Sequence, residues 1–488
     1  MEEGEGLLLK ERVKLVRRVE WGVIGEELKR LGYLAGPMVA VTLSNYLLQI
    51  ICLSMVGHLG ELSLSSTAIA LSLAGVTGFS LLVCIVICSS LQMGMASALE
   101  TLSGQAYGAQ QYEKLGTQTY TAVLSLSIVC VPLSIFWIYS GNLLLFLGQD
   151  PQISQEAGNF LMWLIPALFG FATLQPLIRY YQMQSLIFPM LVGSCITTCF
   201  HVPLCWVLVF KSGLHNLGAA VAIGLSVWLN VVILSLYMNY SPACDHTRAR
   251  ISIKLIFHGM KEFFQYAIPS AVMICLEWWS FEFLILLSGL LPNPRLETSV
   301  LSVCMNTIST LYAVPVGLAA AASTRISNEL GAGKPQEARV AVIALMVAAA
   351  SNAIIVSSSL FASRNVFGYI FSNEKKVVDS VKNMAPLVCL SVIIDSIQAG
   401  LSGVARGCGW QDIGAYVNLG AFYVFGIPVA ATLCFWLNFR GEGLWIGILS
   451  GATLQMTIFA TITCCTNWEK QAAKARNRLF EEKSDLLS

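Results

Sequence analysis

Twelve stretches of the chain run for about twenty residues or more on mainly apolar side chains, near 33–56, 66–99, 117–140, 157–178, 186–210, 217–238, 263–290, 300–322, 338–362, 384–402, 413–437 and 443–465. This constrains the fold more than any motif does. About 20 apolar residues in a helix span the roughly 30 Å hydrocarbon core of a bilayer. Inside that core every backbone polar group must be bonded within the structure, and for segments of this length the solution is an α-helix. The charge content agrees: 12% of residues are charged, against roughly 25% in a typical soluble chain. The expected fold class is an all-α polytopic membrane protein with twelve transmembrane helices. A net charge of +1 gives no basic field for nucleic acid. Leu7–Leu9 is too short an apolar run for a signal peptide, so the first span is expected to act as the insertion signal.

Lys and Arg counts set the orientation. With the N-terminus inside, seven of the 29 basic residues face outward (Lys211, Arg295, Arg364, Lys375, Lys376, Lys382 and Arg440) and the other 22 face inward. Both termini are therefore expected in the cytoplasm.

The two halves repeat. Pro37 and Gly57 match Pro269 and Gly289 at an offset of 232, and Gly94, Thr101, Gly108 and Ala109 match Gly317, Thr324, Gly331 and Ala332 at 223. Arg179, Gln184 and Gly193 match Arg406, Gln411 and Gly420 at 227, and Pro203 and Gly218 match Pro428 and Gly443 at 225. Six spans per half is an even number, so the halves cross in the same direction. They are expected to be related by an axis along the membrane normal, with substrate between them. The implied organisation is a cytoplasmic segment 1–32, six-helix lobes 33–238 and 261–466, a linker 239–260 and a cytoplasmic tail 467–488. The drop in offset from 232 to 223 implies about nine extra residues near Val83–Gln92 in the first half.

Two acids interrupt the apolar runs, Glu277 in the seventh span and Asp395 in the tenth. An ionisable group at membrane depth is costly unless it faces a cavity, binds an ion or carries a proton. Burial destabilises the ionised form, so such an acid can load a proton from one side and release it to the other. The alternative is that both acids merely bond neighbouring helices. At the 232 offset Glu277 corresponds to Asn45, and at 223 Asp395 corresponds to Ala172, which places the expected coupling in the C-terminal lobe.

Several blocks, ALETLSGQAYGA (98–109), LEWWSFE (276–282), LLPNPRLETSVLS (290–302), ASTRISNELGAG (322–333) and GVARGCGWQDIGAYVN (403–418), resemble plant members of the multidrug and toxic compound extrusion (MATE) family, the DETOXIFICATION proteins. The resemblance covers roughly residues 30–468 and departs from the family at Val83–Gln92. It implies two six-helix lobes around a central cavity, and export of organic compounds in exchange for protons or sodium. It also implies that Glu277 and Asp395 are the coupling residues.

Around that pair, Glu282 lies about 140° round the helix from Glu277 and roughly 7.5 Å along it, where it lines the outer cavity or faces a neighbouring helix. Asn306 is expected as a polar partner of the acids, or as an ordinary interhelical hydrogen bonder. Trp278 and Trp279 sit about 100° and 200° from Glu277, and at least one is expected to flank the cavity, where an aromatic face suits planar or cationic ligands. Pro37, Pro269, Pro203 and Pro428 recur at matched depths and are candidate hinges; static kinks account for them equally well. Glu100 and Arg325 read by default as surface charges at helix ends, with an interlobe gate as the weaker alternative.

No cofactor is expected. Gly331-Ala332-Gly333-Lys334 lacks the spacing of a phosphate loop, the five histidines show no ligand spacing, and the cysteines read as buried thiols, so no metal is expected either. A transferase would call for D-x-x-D or His-rich clusters that the chain lacks, and a channel for a filter-like loop. The favoured reading is a monomeric antiporter exporting cationic or aromatic organic compounds in exchange for protons. Exporters of organic anions or of a hormone-like metabolite, and a sodium-coupled exchanger, are the alternatives. Residues 3–8 and 482–487 each fit an acidic dileucine sorting pattern, which leaves plasma and vacuolar membranes both open.

Overall fold

A computed structural model describes residues 2–75, 89–146, 148, 150–370 and 375–485. The first half comprises α1 (Glu2–Gly57), α2 (Glu61–Gly75), α3 (Ser89–Ala96), α4 (Ala98–Gly108), α5 (Tyr112–Phe146), α6 (Pro151–Met183), α7 (Ile187–Trp206) and α8 (Asn216–Tyr240). The second comprises α9 (Ile253–Ser288), α10 (Pro294–Leu311), α11 (Ala313–Gly331), α12 (Pro335–Ala362), α13 (Lys375–Cys408), α14 (Gln411–Asn418), α15 (Ile427–Ala431) and α16 (Arg440–Cys465), followed by the tail helix α17 (Trp468–Asp485). Among the described residues eleven helices are long and apolar enough to cross a bilayer. The remaining expected span, the second, is represented by α2, with its apolar stretch Leu62–Leu71, and by α3. Residues 76–88 between them lie outside the described residues. So does most of the anticipated insertion Val83–Gln92, of which 89–92 open α3.

The helices are apolar on both faces, as immersion in lipid requires. α5 buries Leu126, Cys130, Leu133 and Trp137 against its neighbours and turns Ile128, Val131, Ile135 and Ile138 outward, each about half exposed. In water such a stripe would be a large apolar patch; in hydrocarbon it costs nothing.

The repeat is visible in the backbone. Left-handed residues recur in matched turns: Gln110 (φ 61°) with Gly333 (φ 73°), Gly213 (φ 77°) with Asn438 (φ 58°), and His215 (φ 51°) with Arg440 (φ 51°). His and Arg rarely adopt this region, so their use of it in both halves shows that the flanking helices dictate the turn. Short π-helical turns also recur, Val207–Lys211 after Pro203 and Thr432–Trp436 after Pro428. A proline lacks the N–H that would close the preceding turn, and a widened turn just beyond it is a common way to accommodate the fault.

The pseudo-two-fold axis runs between α4 and α11. A Cβ on Gly108 would lie 1.9 Å from the Asn328 carbonyl oxygen, and one on Gly331 would lie 2.1 Å from that of Gln105. Gly331 is the repeat mate of Gly108, and Asn328 that of Gln105, so the two contacts are one contact seen twice, as across any two-fold interface. Gly104 abuts Ser327, its own mate. Only glycine permits this approach of the backbones.

Beside this axis Glu100 bridges the lobes. Its carboxylate receives Arg179 Nη1 at 2.8 Å and Arg406 Nε at 2.9 Å, and the residue is 1% exposed. Arg179 and Arg406 are repeat mates. This corrects the default reading of Glu100 as a surface charge: two cations from the two halves converge at the axis, and one anion between them is needed to hold both. Arg325 likewise is not free, since it holds Glu27 of α1 at 2.6 Å and Glu329 at 2.8 Å. On the same side, α17 reaches both lobes: Arg478 donates to Gln105 Oε1 at 3.0 Å and stacks on Tyr266, while Gln471 donates to the Cys408 carbonyl at 2.7 Å.

Candidate functional site

Glu277 lies in the second half of α9 and projects into the C-terminal lobe, where three donors converge on it. Tyr312 Oη, at the junction of α10 and α11, donates to Oε1 at 3.3 Å. Gln398 Nε2 of α13 and Gln455 Nε2 of α16 donate to Oε2 at 3.1 Å and 3.4 Å. The network continues outward. Gln455 Nε2 also donates to Asn418 Oδ1 at 2.7 Å, and Asn418 Nδ2 donates back to the Met273 carbonyl of α9 at 2.7 Å. Gln398, Asn418 and Gln455 are all buried, and their amide N–H groups bond to groups of the protein in place of water, while Gln455 Oε1 is buried without a partner.

Asp395, three residues before Gln398 on α13, is within electrostatic range of Glu277. It is half-buried and has no hydrogen-bond or ion-pair partner among the described residues. Its side chain borders a small, mainly apolar void walled by Phe281, Leu284, Trp445, Ile448, Leu449 and Ala452, together with Ser391. Trp445 closes the far wall by donating to Ser391 Oγ at 2.9 Å. The two acids therefore share one lobe interior with opposite surroundings, one ringed by donors and one facing apolar walls.

The other anticipated residues distribute unevenly. Trp278 packs edge-on against Tyr312, ring centroids 6.2 Å apart, and so abuts the Glu277 network. The indole N–H of Trp279 is buried without a partner. Glu282 is half-buried on α9, with no polar partner among the described residues. Asn306 is exposed on α10 and its side chain bonds neither acid; Tyr312, Gln398 and Gln455 occupy the donor role expected of it. Asn45 is half-buried on α1 in the other lobe, beside Ser44, which pairs with Thr198 of α7 at 2.6 Å. Pro37 and Pro269 lie inside α1 and α9, Pro203 inside α7, and Pro428 at the start of α15.

The sequence did not single out Tyr312, Gln455 or Asn418. Neutral polar residues are common in spans, and their only local signal was depth within an apolar run. The five histidines show no ligand spacing among themselves in the sequence, yet one of them meets two thiols in the fold. His201 and Cys205, one turn apart on α7, meet Cys52 of α1, with ligand-type atoms within 4.8 Å of one another.

Two repeat-related helical halves, built from helices long and apolar enough to cross a bilayer, are the architecture of a multi-pass membrane transporter of small molecules. The chain belongs to the MatE family, whose sequence pattern matches residues 37–207 and 269–432. It is 57% identical over 472 residues to Protein DETOXIFICATION 12 of Arabidopsis thaliana, covering 96% of each chain. It is 59% identical over 461 residues to Protein DETOXIFICATION 14 of the same plant, covering 94% of this chain and 93% of the other. The fold superposes on a crystal structure of the eukaryotic MATE transporter AtDTX14 with a TM-score of 0.88 at 58% identity, over 93% of this chain and 99% of that one. A Vibrio cholerae MATE transporter in a bent form shares the fold at 15% identity, with a TM-score of 0.77 over 93% and 99% of the two chains.

Proposed function

We propose that this chain exports organic compounds, cationic or aromatic in character, in exchange for protons, with Glu277 and Asp395 as the coupling pair. The observation that carries this reading is the contrast between the two acids. Glu277 has three donors aimed at its carboxylate, which support a negative charge. Asp395 faces apolar walls with no counter-group, and a proton or a cation relieves an unpaired carboxylate there. A proton taken up by Asp395 weakens the repulsion on Glu277, so loading one acid resets the other. An organic cation that competes for the same negative charge then exchanges for the proton.

Alternating access is supported by where the lobes touch. On the side of the termini, α4 packs on α11, α3 on α9 and α1 on α11, and Glu100 and Arg325 tie these elements with ion pairs. α10 packs on α9, α11, α13 and α16 of its own lobe. We read these contacts as the closed gate of a carrier on the side of its termini, which the Lys and Arg count assigns to the cytoplasm. The names of the relatives point to detoxification, which fits export of foreign compounds across the plasma or vacuolar membrane by a monomer.

Purified protein in liposomes with an imposed pH gradient tests the reading. A cationic dye should accumulate, and Glu277→Gln should reduce the uptake to the level of empty liposomes. Retained uptake in that variant removes Glu277 from the mechanism. A sodium gradient in place of the pH gradient identifies the coupling ion.

A further inference from the structure

The N-terminal lobe contains its own buried cluster, far from the acids. Cys52 near the end of α1 places Sγ 3.3 Å from His201 Nε2 and 3.7 Å from Cys205 Sγ, and all three residues are 0% exposed. We propose that these three side chains bind a zinc ion that joins α1 to α7, independently of the exchange chemistry.

The spacing is the first argument. Tetrahedral zinc with Zn–S of about 2.3 Å and Zn–N of about 2.0–2.1 Å holds two sulfurs roughly 3.8 Å apart and a sulfur and nitrogen roughly 3.6 Å apart. The two separations from Cys52 Sγ lie within a few tenths of these, and all three ligand atoms lie within 4.8 Å of one another. The second argument is orientation. His201 Nδ1 pairs with Ser226 Oγ of α8 at 2.8 Å. With Nδ1–H as the donor, Nε2 turns its lone pair toward the sulfurs, and such a partner on the far ring nitrogen is the usual support of a metal-bound histidine. The Ala219 carbonyl oxygen, 3.7 Å from Cys52 Sγ, accepts a hydrogen bond from that thiol.

Charge selects the metal. Binding Zn²⁺ to two thiols forms two Zn–S bonds and releases two protons, so two thiolates, one neutral imidazole and one divalent ion sum to zero. Cuprous ion, the other thiophilic candidate, would leave a net negative charge in an apolar interior, which is costly. Helix packing alone does not explain the cluster. At the repeat offsets its positions in the other lobe hold Leu284, Gly426 and Ala430, with Gly451 in place of Ser226, and the same helices pack there without polar groups.

The test uses the full chain purified in detergent without chelators, then exposed to zinc and desalted. We expect about one zinc per chain, an X-ray absorption spectrum with two sulfur ligands and one imidazole, and a zinc-dependent rise in melting temperature. The Cys52→Ser/Cys205→Ser double variant should lose the metal and the thermal response. Should that variant fail to fold, cobalt bound to the unaltered chain still decides, because a tetrahedral thiolate site gives a thiolate-to-metal charge-transfer band. No bound zinc, zinc retained in the double variant, copper in its place, or a Cys52–Cys205 disulfide in the isolated chain would each overturn the proposal.

Discussion

The two lobes are built on one backbone plan and furnished differently. Several turns, the π-helical segments after Pro203 and Pro428, and four prolines match at the repeat offsets, yet the C-terminal lobe holds the paired acids and the N-terminal lobe holds a cluster of two thiols and an imidazole. The surroundings differ as much as the charges. Gln455 and Asn418, which extend the Glu277 network, correspond to Asn230 and Leu191, so the hydrogen bond between them has no counterpart. The helix containing Asn418 is also interrupted by a second π-helical stretch, Leu419–Gly426, where α7 in the other lobe is continuous from Ile187 to Trp206. A duplicated scaffold therefore does not give a duplicated site. Helix packing survives wide substitution provided the volumes are kept, whereas a buried carboxylate needs every one of its neighbours.

The strongest way to break this comparison is to move the charge. Glu277→Gln combined with Asn45→Glu places the acid at the matched position of the other lobe. We expect pH-gradient-driven uptake to remain at the level of empty liposomes, because among the described residues no side-chain donor bonds to Asn45 as three do to Glu277. Restored uptake would show that the lobes are interchangeable and that depth alone, not the surrounding network, makes the site.

Next in size is the group that joins the lobes. Glu100→Ala leaves Arg179 and Arg406 buried and facing each other without a counter-charge. Removing one member of a buried ion pair typically costs about 3–5 kcal/mol, and a substantial fall in melting temperature in detergent is expected. Glu27→Gln removes one of the two carboxylates on Arg325 but leaves Glu329 in place, so a smaller loss of about 1.5–3 kcal/mol, the worth of a charged hydrogen bond, is expected. Equal losses would mean that the axis carries no special share of the interlobe contact.

What could be read from the sequence follows from the dimensionality of each constraint. Spans, repeat and the two acids were legible because bilayer thickness and desolvation act on a chain segment by itself. The Glu277 donors were not, because Tyr312, Gln398 and Gln455 become a ring only when three separate helices close on α9. Glu100 was misread for the same reason: at a helix end in sequence it is a surface charge, and it becomes central only because Arg179 and its mate are brought to the same axis. His201 and Cys205 do carry a local signal, one helical turn between them, but their third partner is 149 positions away from His201.

The subtlest difference between the lobes is a methyl group. Gly447 on α16 faces Ala430, and a Cβ built on it would lie 2.2 Å from the Ala430 Cα. Its mate at the 225 offset is Ala222, which is fully buried on α8. The two lobes therefore set this helix crossing at different distances, the C-terminal one with backbones in closer contact. Gly447→Ala should overpack that crossing at a cost of about 1–3 kcal/mol and force α15 away from α16. α16 also supplies Trp445 to the void beside Asp395, so the displacement should weaken uptake without abolishing it. The reverse change, Ala222→Gly, adds no clash and should lower stability by about 1 kcal/mol, what glycine costs inside a helix, read as a small fall in melting temperature. If both variants behave alike, the close approach at Gly447 is not a distinguishing feature of the lobe that holds the acids.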